Sequence, residues 1–264
     1  MATYKKRGYK PKPEKIKEDK EVEAAEVAAE EMESTTAEVF NTLDETANKT
    51  EEWFAENQKY IFGIVGGLAL CALLFVGYQR LIQEPKEEEA ANEIYQAQAF
   101  FKQAMDASET QKDSLYNLAL TGGNGKLGLL DVIDEYGSTD TGNLAQYYAG
   151  FAYLNQQKYK EAIDHLDHFS SGDYILNALA KGGIGDAFAQ LNDNEKALEY
   201  YNKAASFETN EFTTPKFLLK AAKLEIELGD ASSAVQKLEK IEISYPNSNE
   251  FTEVEALLAK ARAL

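Results

Sequence analysis

From Pro85 to the C-terminus, apolar residues recur at intervals of three and four, separated by short turns, and no alternating run reaches strand length. That spacing is the mark of amphipathic helices, so the sequence predicts an all-α chain. One helix is expected from Pro85 to about Ser108. It opens on Pro and Glu, as helix N-termini do, and carries Ile94, Tyr95, Phe100, Phe101 and Met105. The stretches 114–121 and 128–136 read as a diverged helical pair, and 250–264 reads as an amphipathic closing helix. One block breaks the pattern. Residues 60–79, YIFGIVGGLALCALLFVGYQ, hold no charge between Lys59 and Arg80.

The region after residue 140 is self-similar, the first thing to look for in a helical chain. Aligned on one alanine, Ala162, Ala197 and Ala234 recur at spacings of 35 and 37 residues. Twelve residues before each stands a small residue, Gly150, Gly185 or Ala222, where the first helix of a hairpin passes closest to the second. Tyr153 and Phe188 fill an aromatic position three residues further on, and Pro246 stands where the third repeat should terminate. The third repeat departs from the pattern with Glu225 at the aromatic position. The period is close to the 34 residues of tetratricopeptide repeats. Repeats are therefore expected at about 143–176, 178–211 and 215–248, as a helical-hairpin solenoid capped by the closing helix.

At ~1.5 Å per helical residue, twenty uncharged residues match the roughly 30 Å hydrocarbon core of a bilayer. Tyr60 and Tyr78 would lie in the interfacial belts, with Lys59 and Arg80 reaching the headgroups. The block is too long, and too far from the N-terminus, for a cleaved signal peptide. It reads as a single-pass signal anchor, assigned to residues 60–82. Within it Gly63 and Gly67 form a small-xxx-small pair that could let two such helices approach.

Charge divides the remainder. Residues 1–20 carry eight basic and three acidic residues, a net +5; residues 21–59 carry a net −10; residues 81–264 carry a net −14, within a total of −18. Residues 1–34 read as a disordered basic and acidic arm, and 35–59 as an amphipathic juxtamembrane helix opened by a capping box from Thr35 to Glu38. The basic arm favours a cytoplasmic N-terminus, which places 83–264 outside the cytoplasm. Lys5, Lys6, Arg7, Lys10 and Lys12, interleaved with Tyr4 and Tyr9, are candidates for weak contact with anionic lipid or with ribosomal RNA.

Several chemistries are absent from the sequence. A single Cys and two His leave no multi-ligand metal site, and the acidic repeat region is unsuited to DNA. The run from Gly122 to Leu127 lacks the residues of a phosphate loop and reads as a turn between helices. His165 and His168 read as solvated surface residues. No nucleophile with a base appears, so the expectation is a protein without catalytic residues, cofactor or metal, acting through protein partners. By repeat alignment the concave face of the solenoid would carry Tyr147, Phe151, Asp186, Gln190, Lys223 and Glu227, a mixed aromatic and polar surface suited to peptide segments.

The anchor at 60–79, the helix after Pro85 and the pairs Gly150/Ala162, Gly185/Ala197 and Ala222/Ala234 resemble the ancillary SecYEG translocon subunit family, the YfgM-like proteins of bacterial inner membranes, in a Bacteroidetes-type version with a long arm. The resemblance implies a periplasmic repeat domain beside the Sec channel, partnered with a membrane-anchored foldase and assisting newly exported chains. An envelope-assembly or cell-division scaffold with one dedicated partner fits the same architecture.

Overall fold

The computed structural model describes residues 53–264 apart from residue 124. The arm at 1–34, with its basic residues, and the expected juxtamembrane helix up to residue 52 lie outside the described residues. The chain divides into two units, Met1–Val76 and Gly77–Leu264.

The described residues of the first unit are helical and belong to α1 (53–78), whose last two residues fall in the second unit. An 18-residue window of this helical run has mean hydropathy 2.3 and none of it is buried, so the helix is long and apolar enough to cross a membrane. The Cβ positions of Gly63 and Gly67 face open space. Cys71 is an exposed free thiol.

After the end of α1 the second unit holds a π-helical stretch, Gln79–Gln83, and ten α-helices: α2 (Glu84–Asp106), α3 (Glu109–Thr121), α4 (Leu129–Tyr136), α5 (Asp140–Asn155), α6 (Tyr159–His168), α7 (Tyr174–Gln190), α8 (Asn194–Ser206), α9 (Thr213–Glu227), α10 (Ala231–Ser244) and α11 (Phe251–Arg262). No strand occurs among the described residues; Gly123 and Lys126 form one isolated bridge. Gly122 ends α3 at φ +76°, and a Cβ there would lie 2.2 Å from the Lys126 carbonyl oxygen, so the turn admits only glycine.

The leading helices pair differently from the sequence expectation. α3 folds back on α2, with Phe101 and Tyr116 edge to face at 5.5 Å, and α4 lies chiefly against α5. The pairing follows the apolar faces, because Tyr116, Ala119 and Leu120 of α3 bury against the Phe100/Phe101 face of α2. The start of α2 is pinned to the α4–α5 turn. Glu87 accepts hydrogen bonds from the Asp140 and Thr141 backbone N–H groups at 2.7 and 3.0 Å, and thus caps α5 from another helix. Gln83 Nε2 adds a bond to the Ser138 carbonyl at 2.6 Å.

Three hairpins follow in register: α5–α6, α7–α8 and α9–α10. Each turn places a residue in the left-handed region five positions before the anchor alanine: Gln157 (φ 60°), Asn192 (φ 59°) and Gly229 (φ 81°). Asp193 and Asp230 then cap α8 and α10 through their side chains, whereas Lys158 leaves α6 without such a cap. The anchors Ala162, Ala197 and Ala234 are all 0% exposed. A Cβ on Gly150 would sit 2.5 Å from Leu166 Cγ, and one on Gly185 would sit 2.6 Å from Tyr201 Cδ1. Those separations are too short for any larger residue without displacement of the second helix of the hairpin. Ala222 is buried at the equivalent place, and Pro246 lies just beyond α10, exposed. Apolar clusters run the length of the unit, one joining α2 to α5, a small one around Leu166 and Ile184, and one from α7 to α11.

Candidate protein-binding surface

Three equivalent positions, 151, 186 and 223, lie on the first helix of successive hairpins, and the chemistry changes at each. Phe151 lies against the neighbouring hairpin, where a Cβ on Gly183 would be 3.0 Å from its ring. Asp186 bonds the Lys220 ammonium of the next hairpin at 2.5 and 2.7 Å and accepts a hydrogen bond from Tyr201 Oη at 2.8 Å. Burial, together with the Asp186 carboxylate, pushes the Tyr201 phenol well above its ordinary range. Lys223 pairs with Glu253 of the closing helix at 2.6 Å. This rank of side chains therefore joins one hairpin to the next, by apolar contact first and by ion pairs afterwards. At the neighbouring rank, Gln190 accepts a bond of 3.4 Å from Tyr159 Oη, and Glu227 is exposed.

Tyr147 and Phe151 come together at 4.7 Å between ring centroids, and they open onto a pocket of 520 Å³. Its walls come from four helices: Phe101 and Met105 of α2, Lys112 and Tyr116 of α3, Tyr147, Tyr148, Phe151 and Asn155 of α5, and Leu176 of α7. Phe101 stands edge to face with both Tyr116 and Tyr148, at 5.5 and 5.1 Å. Burial, with smaller contributions from Tyr148 and Asp173, pushes the Tyr147 phenol up to about 12. Asp186, Gln190, Lys223 and Glu227 do not line this pocket.

Asn155 is not among the expected concave-face residues, although it occupies the same rank as Gln190 and Glu227, four residues after Phe151. Phe101 and Met105 also join the surface unannounced by repeat alignment, because the leading hairpin does not share the repeat register.

A second ladder crosses each hairpin with a constant offset of twelve residues. Tyr153 stacks on His165 at 5.3 Å and 15°, Phe188 lies 5.6 Å from Tyr200, and Glu225 pairs with Lys237 at 2.5 Å. The irregular Glu225 is thus matched by an equally irregular partner at the same offset.

The ladder also corrects the reading of the histidines. His168 is exposed, but His165 is half-buried against Tyr153, with its Nδ1 2.6 Å from Gln146 Oε1. No group of residues able to hold a metal ion occurs among the described residues. Burial, chiefly, holds the His165 pKa below its ordinary value. The unfolded chain then takes up a proton more readily than the fold. The stability from the neutral ring is complete above the unfolded pKa of about 6.5 and is lost as pH falls toward the lowered folded value. Denaturant midpoints should therefore drop between about pH 7 and about pH 5, and His165→Phe should flatten that slope. An equal drop in the variant would assign the slope to other groups.

The tetratricopeptide repeat family, compared as a sequence model, matches residues 144–170 and 217–248, which fall on the first and third hairpins. The second hairpin lies between them in the same register of anchor, small residue and turn. No curated protein was found to match the chain. An all-helical array of tetratricopeptide-type hairpins is the architecture of a protein–protein interaction scaffold, a fold that typically carries no catalysis, and the same chain holds one helix apolar enough to span a membrane.

Proposed function

We propose that this protein is a membrane-tethered periplasmic scaffold and co-chaperone of the Sec translocon, which holds newly exported chains close to the membrane together with an anchored foldase. The observation that carries this reading is the joining of one apolar, unburied helical span to a tetratricopeptide-type repeat unit in a single chain. The span at 60–82 is the anchor in the bacterial inner membrane, and the repeat domain at 83–264 lies on the periplasmic side. The basic arm, with Lys5, Lys6, Arg7, Lys10 and Lys12, keeps the N-terminus cytoplasmic and adds weak contact with translating ribosomes. Gly63 and Gly67 offer a surface for helix association within the bilayer. A scaffold fixed at the exit of the channel gains effective concentration over chains that it binds only weakly.

Crosslinking of the full-length protein in intact membranes tests the reading. Adducts with Sec channel subunits and with a spread of exported chains are the expected result. A single unrelated envelope partner, with no Sec adduct, would replace it with a dedicated assembly scaffold.

A further inference from the structure

We propose that the pocket between the leading hairpin and the first repeat is the docking site for one large apolar side chain, preferably aromatic, in an extended polypeptide segment flanked by lysine or arginine. This deepens the scaffold reading by assigning the side-chain class that is bound and the place that binds it.

Size, wall chemistry and charge carry the inference. A volume of 520 Å³ lies within the range of specific ligand pockets and has room for an aromatic side chain with part of its backbone. Five of the nine wall residues are aromatic, with Phe101 edge to face against Tyr116 and Tyr148 and Tyr147 tilted on Phe151, and such rings lose little conformational entropy when a further ring enters. Met105 is 62% exposed at the rim, an unbranched side chain able to adjust to different occupants.

Charge selects the flanks. The Lys112 ammonium is held by Glu109 at 2.6 Å, so the cation in the wall is already neutralised. Asp106 follows Met105 in the chain, Asp113 follows Lys112, and both are exposed. Asp173, also exposed, accepts a hydrogen bond of 3.3 Å from the backbone N–H of Leu176, which lines the pocket. The region from residue 81 onward carries a net −14. A basic segment is drawn to this surface and an acidic one is repelled, with an affinity that salt reduces. The pocket takes Phe151, the apolar member of its rank, and leaves out Asp186 and Lys223, which are engaged in the joints between hairpins.

The test uses the full-length protein in lipid nanodiscs and a fluorescent peptide alternating Lys and Ala around one central Phe. Controls carry Ala at the centre or Glu in place of Lys. Binding of the Phe–Lys peptide should be at least about tenfold tighter than that of either control. Met105→Lys, at an exposed position, should weaken it by about tenfold and leave thermal unfolding unchanged. Asp173→Asn keeps a side chain able to cap α7 and removes the charge, so it should weaken binding a few-fold and flatten its salt dependence.

Undiminished affinity in Met105→Lys would overturn the pocket assignment and place binding elsewhere on the scaffold. Preference for the Glu-flanked peptide, or no binding of any peptide by the wild type, would overturn it as well. Recruitment to the Sec channel is read separately by crosslinking, so loss of the pocket and loss of the translocon reading give different results.

Discussion

Replacing Lys237 with Met should destabilise the repeat unit by about 3 kcal/mol, the lower end of the cost of stranding one member of a buried ion pair. Glu225 is 4% exposed, and one carboxylate oxygen lies 2.5 Å from Lys237 Nζ while the other has no hydrogen-bond partner. Remove the ammonium and a carboxylate remains in the hairpin interior with no counter-charge. The double variant Glu225→Phe/Lys237→Tyr should recover the loss and gain up to about 1–4 kcal/mol, as replacements of buried pairs by packed apolar groups can do. It would repeat in the third hairpin the Phe188/Tyr200 contact of the second. Thermal unfolding of the full-length protein in micelles, followed by circular dichroism, measures both. A Lys237→Met variant within about 1 kcal/mol of wild type would mean that water reaches the carboxylate and that the pair is not energetically buried.

Gly182→Ala should cost about 2 kcal/mol or more, although alanine is the better helix former by about 1 kcal/mol. A Cβ at residue 182 would lie 1.9 Å from Cε1 of Phe217, a ring only 1% exposed and unable to swing aside. At 2–4 °C per kcal/mol for a domain of this size, the melting temperature should fall by roughly 4–8 °C. Gly183→Ala is the control. Its Cβ would meet only the outer atoms of Leu166 and Phe151, at 2.9 and 3.0 Å, which can shift. Three glycines in α7 thus face three partners: Gly182 the following hairpin, Gly183 the preceding one, and Gly185 its own second helix. If Gly182→Ala melts with the wild type, α7 and α9 can separate at little cost, and the close approach is not a determinant of the array.

What the sequence made legible was what recurs. Twenty uncharged residues, three anchor alanines and their small partners depend on local composition and on period, and both survive without knowledge of the fold. The third hairpin was legible despite Glu225, because Ala222 and Ala234 kept the register. The candidate surface was only partly legible. Tyr147 and Phe151 followed from repeat alignment, but the other wall of their pocket comes from α2 and α3, which obey no period. Asp186 and Lys223 have the polar character of a binding face, yet each is engaged by a partner 34 or 30 residues away. Such pairings are set by the superhelical stacking of hairpins and leave no short-range mark. His165 reads as solvated on its own helix because the Tyr153 and Gln146 that cover it belong to the other helix of the same hairpin.

The Gly182–Phe217 contact also sets a condition on lengthening the array by a copy of the second hairpin. The residue of the second hairpin equivalent to Phe217 is Ala180, so a tandem copy of that hairpin would set a methyl group against Gly182 where a ring now stands. The missing ring would leave a void of the kind that costs about 3–5 kcal/mol when a buried Phe is cut to Ala. Where stability is a sum of repeats and their interfaces, a copied unit that fails to fit its twin is selected against. A copy of the second hairpin inserted at this joint would fit only with an aromatic ring in place of the alanine equivalent to Ala180.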